Sequence, residues 1–377
     1  MVNRVLNGAD RLTDAAPLLK GKRCGLLTSA SGVDRNGVPT YVNLSGLYDL
    51  TVLFAAEHGI HSVLQDGSWG GEYRDQETGA PVYNISSSGN PKIDEALSLC
   101  DVVVYDVQDV GARFYTYIYC LTYLMTECAA RKIPVVILDR PDVISGDLNA
   151  IEGAVLDESR FSSFIGRYGI PTRYSLTCGE FASYINETRG IGCELHVITC
   201  IGWKREAYGD ELGMPWINPS PNIPSVSCAL NYIGTCLIEA TNVSEGRGTT
   251  RPFDIVGAPF IDSGKLADTM NSYRLPGVYF SRAFFVPMFS KHAHEVCEGI
   301  QFNVTDRRVY KPHSAGVCLI AALRQFEGFE IKESSMNLRY GTDALTSSPD
   351  FDPSAILSDE MKGIEEYRLS IRKYLLY

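Results

Sequence analysis

The stretch VVVYDVQDVGARFYTYIYCL, residues 102–121, decides how the rest of the chain is read. Three valines and a tyrosine run straight into Asp106, Gln108, Asp109 and Arg113, and a long apolar and aromatic segment follows. A short β-branched run bounded by polar residues reads as a strand buried on both faces, and the segment after it as a crossover helix. The polar cluster then lies where a strand ends. In open α/β sheets ligands bind along that edge, because its loops carry chemistry while the strands hold them still.

The pattern recurs on either side. KRCGLLTS (residues 22–29), LTVLFAAEHG (50–59), PVVILDRPD (134–142) and ELHVITCIGW (194–203) are further strand candidates. Helical segments fall near 40–48, 91–99 and 115–132, and Thr177-Cys178-Gly179-Glu180 has the capping-box spacing that opens a helix to about Glu187. Such alternation implies a parallel sheet with helices on its faces. At 377 residues the chain exceeds one core of ordinary size, so two domains are expected. The Pro-rich loop INPSPNIPS (217–225) supplies the boundary, giving domains of residues 1–225 and 226–377. Beyond it we expect helices near 226–239, 314–326 and 359–375, and strands near 278–285 and 299–304.

Composition narrows the partners. With 34 basic against 45 acidic residues the net charge is -11, which argues against nucleic acid or an anionic membrane. The eleven cysteines form no C-x-x-C pair, and Cys120, Cys200, Cys236 and Cys318 sit in apolar runs, as expected in a reducing compartment. The opening MVNRVLNGADRL lacks the apolar core of a signal peptide, and no stretch reaches the roughly 18 apolar residues of a membrane span, so a cytoplasmic location is expected.

Several polar groups stand at strand ends. Glu57 and His58 precede the Gly-rich segment HSVLQDGSWGGEYRDQETG (61–79); the carboxylate is either a general acid or base tuned by burial, or a cap or ion pair. His58 and His61 are spaced for a metal, but no third ligand accompanies them, so no metal is expected. Among Asp106, Gln108, Asp109 and Arg113, either Asp suits a hydrolase and Arg113 suits a substrate carboxylate, unless Arg113 pairs internally with one of them. Asp139-Arg140-Pro141 reads as a structural ion pair. Asn218, Ser220 and Asn222 alternate with prolines that stiffen the backbone, which suits binding of hydroxyl or amide groups, or a rigid linker. TNVSEGRGTT (241–250) offers Glu245 and Arg247 as a site or as an ordinary paired turn. No Gly-Lys-Ser/Thr phosphate loop, no G-x-G-x-x-G and no G-x-S-x-G elbow occurs, which disfavours nucleotides and serine hydrolysis.

EHGI at Glu57, DVQDVGARFYTY at Asp106, LDRP at Leu138, T-x-G-E at Thr177, PSPNIP at Pro219 and NVSEGRGTTRPF at Asn242 together resemble the exo-β-N-acetylmuramidase family of the NamZ type, in family order over most of the chain. Three positions depart from its pattern: Ala56 for Pro, Tyr174 for His and Ala240 for Gly. The resemblance implies a Rossmann-like parallel-sheet domain, a smaller C-terminal α/β domain, an active site in the cleft between them, and no cofactor. It implies a glycoside hydrolase that removes terminal N-acetylmuramic acid from the non-reducing end of peptidoglycan fragments. That chemistry needs one carboxyl to protonate the leaving oxygen and a second group to act as nucleophile or activate water. We expect Glu57 as acid/base with Asp109 or Glu245 as partner, and Arg113 or Arg247 on the lactyl carboxylate. Tyr115 and Tyr117 are candidates to stack on the sugar. His58, Gln108, Asn218, Ser220 and Asn222 complete the expected substrate contacts. The competing readings are a non-catalytic sugar-binding protein and a hydrolase of another acidic amino sugar.

Overall fold

The computed structural model describes residues 5–64, 71–85, 89–348 and 350–377. Seven strands form the main sheet: β1 (Arg23–Thr28), β2 (Asp49–Ala55), β3 (Tyr73–Arg74), β4 (Pro81–Asn84), β5 (Val102–Asp106), β6 (Val135–Leu138) and β7 (Leu195–Ile198). Their order is β3-β4-β2-β1-β5-β6-β7, parallel throughout except for β3. Counted over the six parallel strands, this is the doubly wound Rossmann order, with the direction of winding reversed between β1 and β5.

The valine run explains why β5 lies at the centre. Side chains alternate across a strand, so Val102 and Val104 enter one core layer with Leu12, Leu19 and Leu44, while Val103 and Tyr105 enter the other with Leu121 and Phe181. Both faces are covered, and all five residues of β5 are buried. The second layer is continuous with the C-terminal half, reaching Leu319 and Ile371.

A smaller antiparallel sheet, order β8-β10-β9, is built from β8 (Ile255–Ala258), β9 (Val278–Phe285) and β10 (Cys297–Val304). Against it packs the helix Ser263–Ser272, which meets the helix Pro312–Leu323 in turn. The helix Val226–Thr235 meets Pro312–Leu323 through Gly234 and Gly316, where a Cβ on either would strike the other helix's backbone. No helix among the described residues is long and apolar enough to cross a membrane.

Several expected elements change length. Strand β2 stops at Ala55, leaving Glu57 and His58 in the turn beyond it. The helix after β5 begins at Tyr117, and residues 107–116 are loop. The helix from Val226 is α-helical to Thr235 and continues as a 3-10 turn, Cys236–Ala240. The last helix starts at Pro353, capped by the Asp352 side chain on Ser354 N, rather than at 359. The capping box at Thr177 is formed in both directions, and opens Cys178–Thr188.

Candidate active site

Three loops converge beyond the sheet edge. Tyr117 Oη lies between two carbonyls, 2.8 Å from Pro219 O and 3.2 Å from Glu57 O, so it ties the turn after β2 to the Pro-rich loop. Thr116 is the N-cap of the helix Tyr117–Arg131, yet its hydroxyl makes no capping bond; it donates instead to Glu57 Oε2 at 2.9 Å. An N-cap side chain diverted from its helix gives up about 1 kcal/mol of local stability, and here it fixes a carboxylate rotamer. The helix N-terminus also presents its positive end to that carboxylate. His58 adopts a left-handed backbone at φ 75, and its Nδ1 is bonded to Leu64 O at 2.7 Å.

Glu57 and His58 line a cavity of about 80 Å3 together with Tyr115, Thr116, Tyr117, Ser220, Asn222 and Arg247. Its wall is aromatic: Tyr115 meets Tyr117 at 4.8 Å and Tyr232 at 6.3 Å, and Tyr232 meets Phe253 at 4.7 Å, all edge to face. The Tyr115 hydroxyl is buried without a hydrogen bond of acceptable geometry. Phe164 also lines the cavity while 55% exposed, which places it at the mouth.

The opposite wall is charged. Arg247 sits between Gly246 and Gly248, both left-handed, where a Cβ would strike backbone of the segments beside them. Its Nη2 donates to Glu239 Oε1 at 2.7 Å, and its Nε lies 3.3 Å from Glu245 Oε1. Glu239 Oε2 accepts from Arg339 Nη2 at 2.9 Å and Nε at 3.2 Å. Burial pushes the Glu239 carboxyl up, but Arg247 and Arg339 overcome it and hold the group well below the usual carboxylate range. Glu239, Arg339, Tyr232 and Phe253 line the cavity without having been singled out in the sequence. Glu239 directly precedes Ala240-Thr241-Asn242, so a search extended upstream of that motif finds it; Arg339 carries no comparable signal.

Other expected residues lie elsewhere. Asp109 is not among the residues lining this cavity: its Oδ2 accepts from Gly111 N at 2.7 Å and from the Tyr174 hydroxyl, and Oδ1 is buried without a partner. Burial pushes its carboxyl up to about 7, against the pull of those two donors. Gln108 Nε2 donates to Asp109 O and Pro141 O, each at 2.9 Å, and lines a second crevice with Trp216. Glu245 is buried behind Arg247, 3.0 Å from Lys291 Nζ. Asn218 is exposed. His61 packs edge to face on Tyr41, and no group of three or more metal-capable side chains occurs among the described residues. Within the Gly-rich segment after His58, residues 65–70 lie outside the described residues.

Two expectations are corrected. Arg113 does not face the cavity, and it pairs with neither Asp106 nor Asp109: its guanidinium is fully buried and donates to the carbonyls of Ala154, Ile170, Arg339 and Tyr340 at 2.5–3.0 Å. The structural ion pair of Arg140 is with Asp106, Nε to Oδ1 at 2.5 Å, rather than with Asp139. Adjacent side chains at a strand end point to opposite faces, so Asp139 turns to Thr177, Gly179 and Tyr377.

Rossmann-type winding, with a cavity past the strand ends holding two carboxyls and two arginines against an aromatic wall, defines an α/β protein with a polar, aromatic-walled pocket at its sheet edge. The chain belongs to the exo-β-N-acetylmuramidase NamZ family. The model of that family's N-terminal part matches residues 24–227, and the C-terminal model matches 230–377. It is 39% identical to the peptidoglycan β-N-acetylmuramidase NamZ of Bacillus subtilis strain 168, over 99% of this chain and 92% of that protein. Two crystal structures of DUF1343 family proteins from Bacteroides fragilis NCTC 9343 share the fold. One has a TM-score of 0.89 at 28% identity and the other 0.80 at 25%, each covering 99% of both chains.

Proposed function

We propose that this chain is an exo-acting β-N-acetylmuramidase, a glycoside hydrolase that releases terminal N-acetylmuramic acid from the non-reducing end of peptidoglycan fragments. The relative from Bacillus subtilis is named a peptidoglycan β-N-acetylmuramidase, the family models name an exo-β-N-acetylmuramidase, and the near full-length similarity supports the transfer. The observation that carries the mechanism is the diverted N-cap: Thr116 leaves its helix uncapped to hold Glu57 at the cavity wall.

Glu57 is the acid/base residue, protonating the glycosidic oxygen as the bond breaks. For its partner the cavity favours Glu239 over Asp109 and Glu245, because Glu239 lines it and is kept ionised by two guanidiniums. Such an anion stabilises the positive charge that grows on the sugar ring in an oxocarbenium-like transition state. Tyr115 and Tyr232 supply apolar ring contact, and Ser220 and Asn222 supply hydrogen bonds to hydroxyl and acetamido groups. The division into domains 1–225 and 226–377, with the site in the cleft between them, agrees with lining residues contributed from both sides of Ser225. A cytoplasmic location, with muropeptide fragments as substrate, is supported by eleven buried, free thiols.

The test is incubation with para-nitrophenyl N-acetylmuramide beside the N-acetylglucosaminide. Release from the first alone is expected, and a folded protein that releases nothing from it sinks the reading.

A further inference from the structure

Three cations stand here: Arg247 and Arg339 line the cavity with the carboxylates Glu57 and Glu239, and Lys291 lies behind Arg247, paired with Glu245. Screening by water is weak in this mostly buried setting, so an anionic ligand group gains most from a guanidinium that still has an N–H to donate. Of the three, Lys291 is spent on Glu245 and on the carbonyls of Ile238 and Val243. Arg247 bridges Glu239 and Glu245. Arg339 donates from Nε and Nη2 to the same oxygen of Glu239, and from Nη1 to Ser335 Oγ at 2.6 Å and Ser335 O at 3.5 Å. Nη2 carries two hydrogens, and only one is used by Glu239, so one N–H remains to donate.

The backbone of Arg339 is held with equal care. Its carbonyl and that of Tyr340 accept from Arg113 Nη2 at 2.8 and 2.6 Å, at the C-terminal end of the helix Glu333–Tyr340. A cation belongs at that end, where carbonyls lack helical partners. The chain leaves through Gly341 at φ 97, and a Cβ there would lie 2.7 Å from Arg113 Nη2. Arg113 therefore reaches from the loop after β5 into the last turn of the helix whose side chain enters the cavity.

We infer that Arg339 receives the carboxylate of the acidic sugar and that Arg113 is its positioning residue. This rests on the glycosidase reading above. Arg339 is a specificity residue: it binds the group that distinguishes a muramic from a glucosaminyl unit.

The experiment compares para-nitrophenyl N-acetylmuramide with its lactyl methyl ester, which has the same shape without the charge. The wild type is expected to take the acid with at least a tenfold lower KM, and Arg339→Gln to erase that ratio, acid and ester then losing kcat alike through the broken Glu239 contact. Arg113→Lys is expected to narrow the ratio; a lower Tm with the ratio unchanged would mean that Arg113 only holds the fold. An Arg339→Gln protein that keeps the wild-type ratio overturns the inference. If that variant does not fold, the wild type still decides, since equal KM for acid and ester excludes charge recognition. Turnover of neither substrate by folded wild type counts against the glycosidase reading itself.

Discussion

Arg113 Nη2 donates to the carbonyl of Tyr340 at 2.6 Å, joining positions 227 residues apart. This one bond anchors the helix that carries Arg339 to the loop that carries Tyr115 and Thr116, so the two walls of the cavity are set by the same buried side chain. Its geometry also makes a nearby substitution informative. Gly341→Ala places a methyl group against the Arg113 guanidinium and forces a left-handed alanine. We expect a loss of at least ~1 kcal/mol in urea unfolding, with a raised KM for N-acetylmuramides. Wild-type stability and KM would show that the Arg113 contact tolerates displacement.

Glu57→Gln keeps the shape of the side chain and removes its proton. General acid/base assistance contributes roughly 10²–10⁴-fold, so kcat on an N-acetylmuramide with an unactivated leaving group should fall by at least about 100-fold with little change in KM. Retention of a tenth of the activity would move the proton donor elsewhere.

Thr116→Val removes the hydroxyl on Glu57 while keeping a branched side chain. The bond fixes the rotamer of the carboxyl, and losing that positioning should lower kcat by roughly tenfold or more. Stability should change little, because the lost hydroxyl caps nothing. A fall in Tm with unchanged kcat would mean that the bond is structural only.

Asp109 and Asp142 are both buried, and burial raises each carboxyl to about 7. The native state then keeps protons that the unfolded chain releases near pH 4. Stability from these groups is full below pH 4 and is lost as pH rises through about 7, by up to several kcal/mol from linkage at ~1.4 kcal/mol per pH unit. Denaturation at pH 5 and pH 8 should show the decline, and Asp109→Asn should flatten it. An unaltered slope in that variant would remove Asp109 as a source.

The parts of the fold that were legible carry strong local patterns. The valine run of β5 and the capping box at Thr177 each satisfy a period or a spacing that no other structure fits as well. Strands β4 (PVYN) and β8 (IVGA) are four residues long, too short to show alternation, and they form because neighbours offer a ladder. The helix Glu333–Tyr340, ESSMNLRY, has no apolar stripe and depends on Met336, Tyr340 and the Arg113 contact.

In the site, Glu57 follows from a strand end and Ser220 and Asn222 from a stiffened loop, while Tyr115, Tyr117 and Arg247 gain their place from the family resemblance; one cavity brings the six together. Spacing along a loop does not say which way each side chain turns. Residues 107–116 send Gln108, Asp109 and Arg113 away from the cavity and Tyr115 and Thr116 into it. Glu239 and Arg339 lie 100 positions apart, and their pairing exists only in three dimensions.

The most direct test is to incubate wild-type and Glu57→Gln protein with the disaccharide N-acetylmuramyl-β-1,4-N-acetylglucosamine and to identify products by mass spectrometry. Wild type is predicted to yield free N-acetylmuramic acid and N-acetylglucosamine in equal amounts, and the variant about a hundredth as much in the same time. Intact disaccharide after incubation with folded wild type, or equal yields from both proteins, would contradict the account.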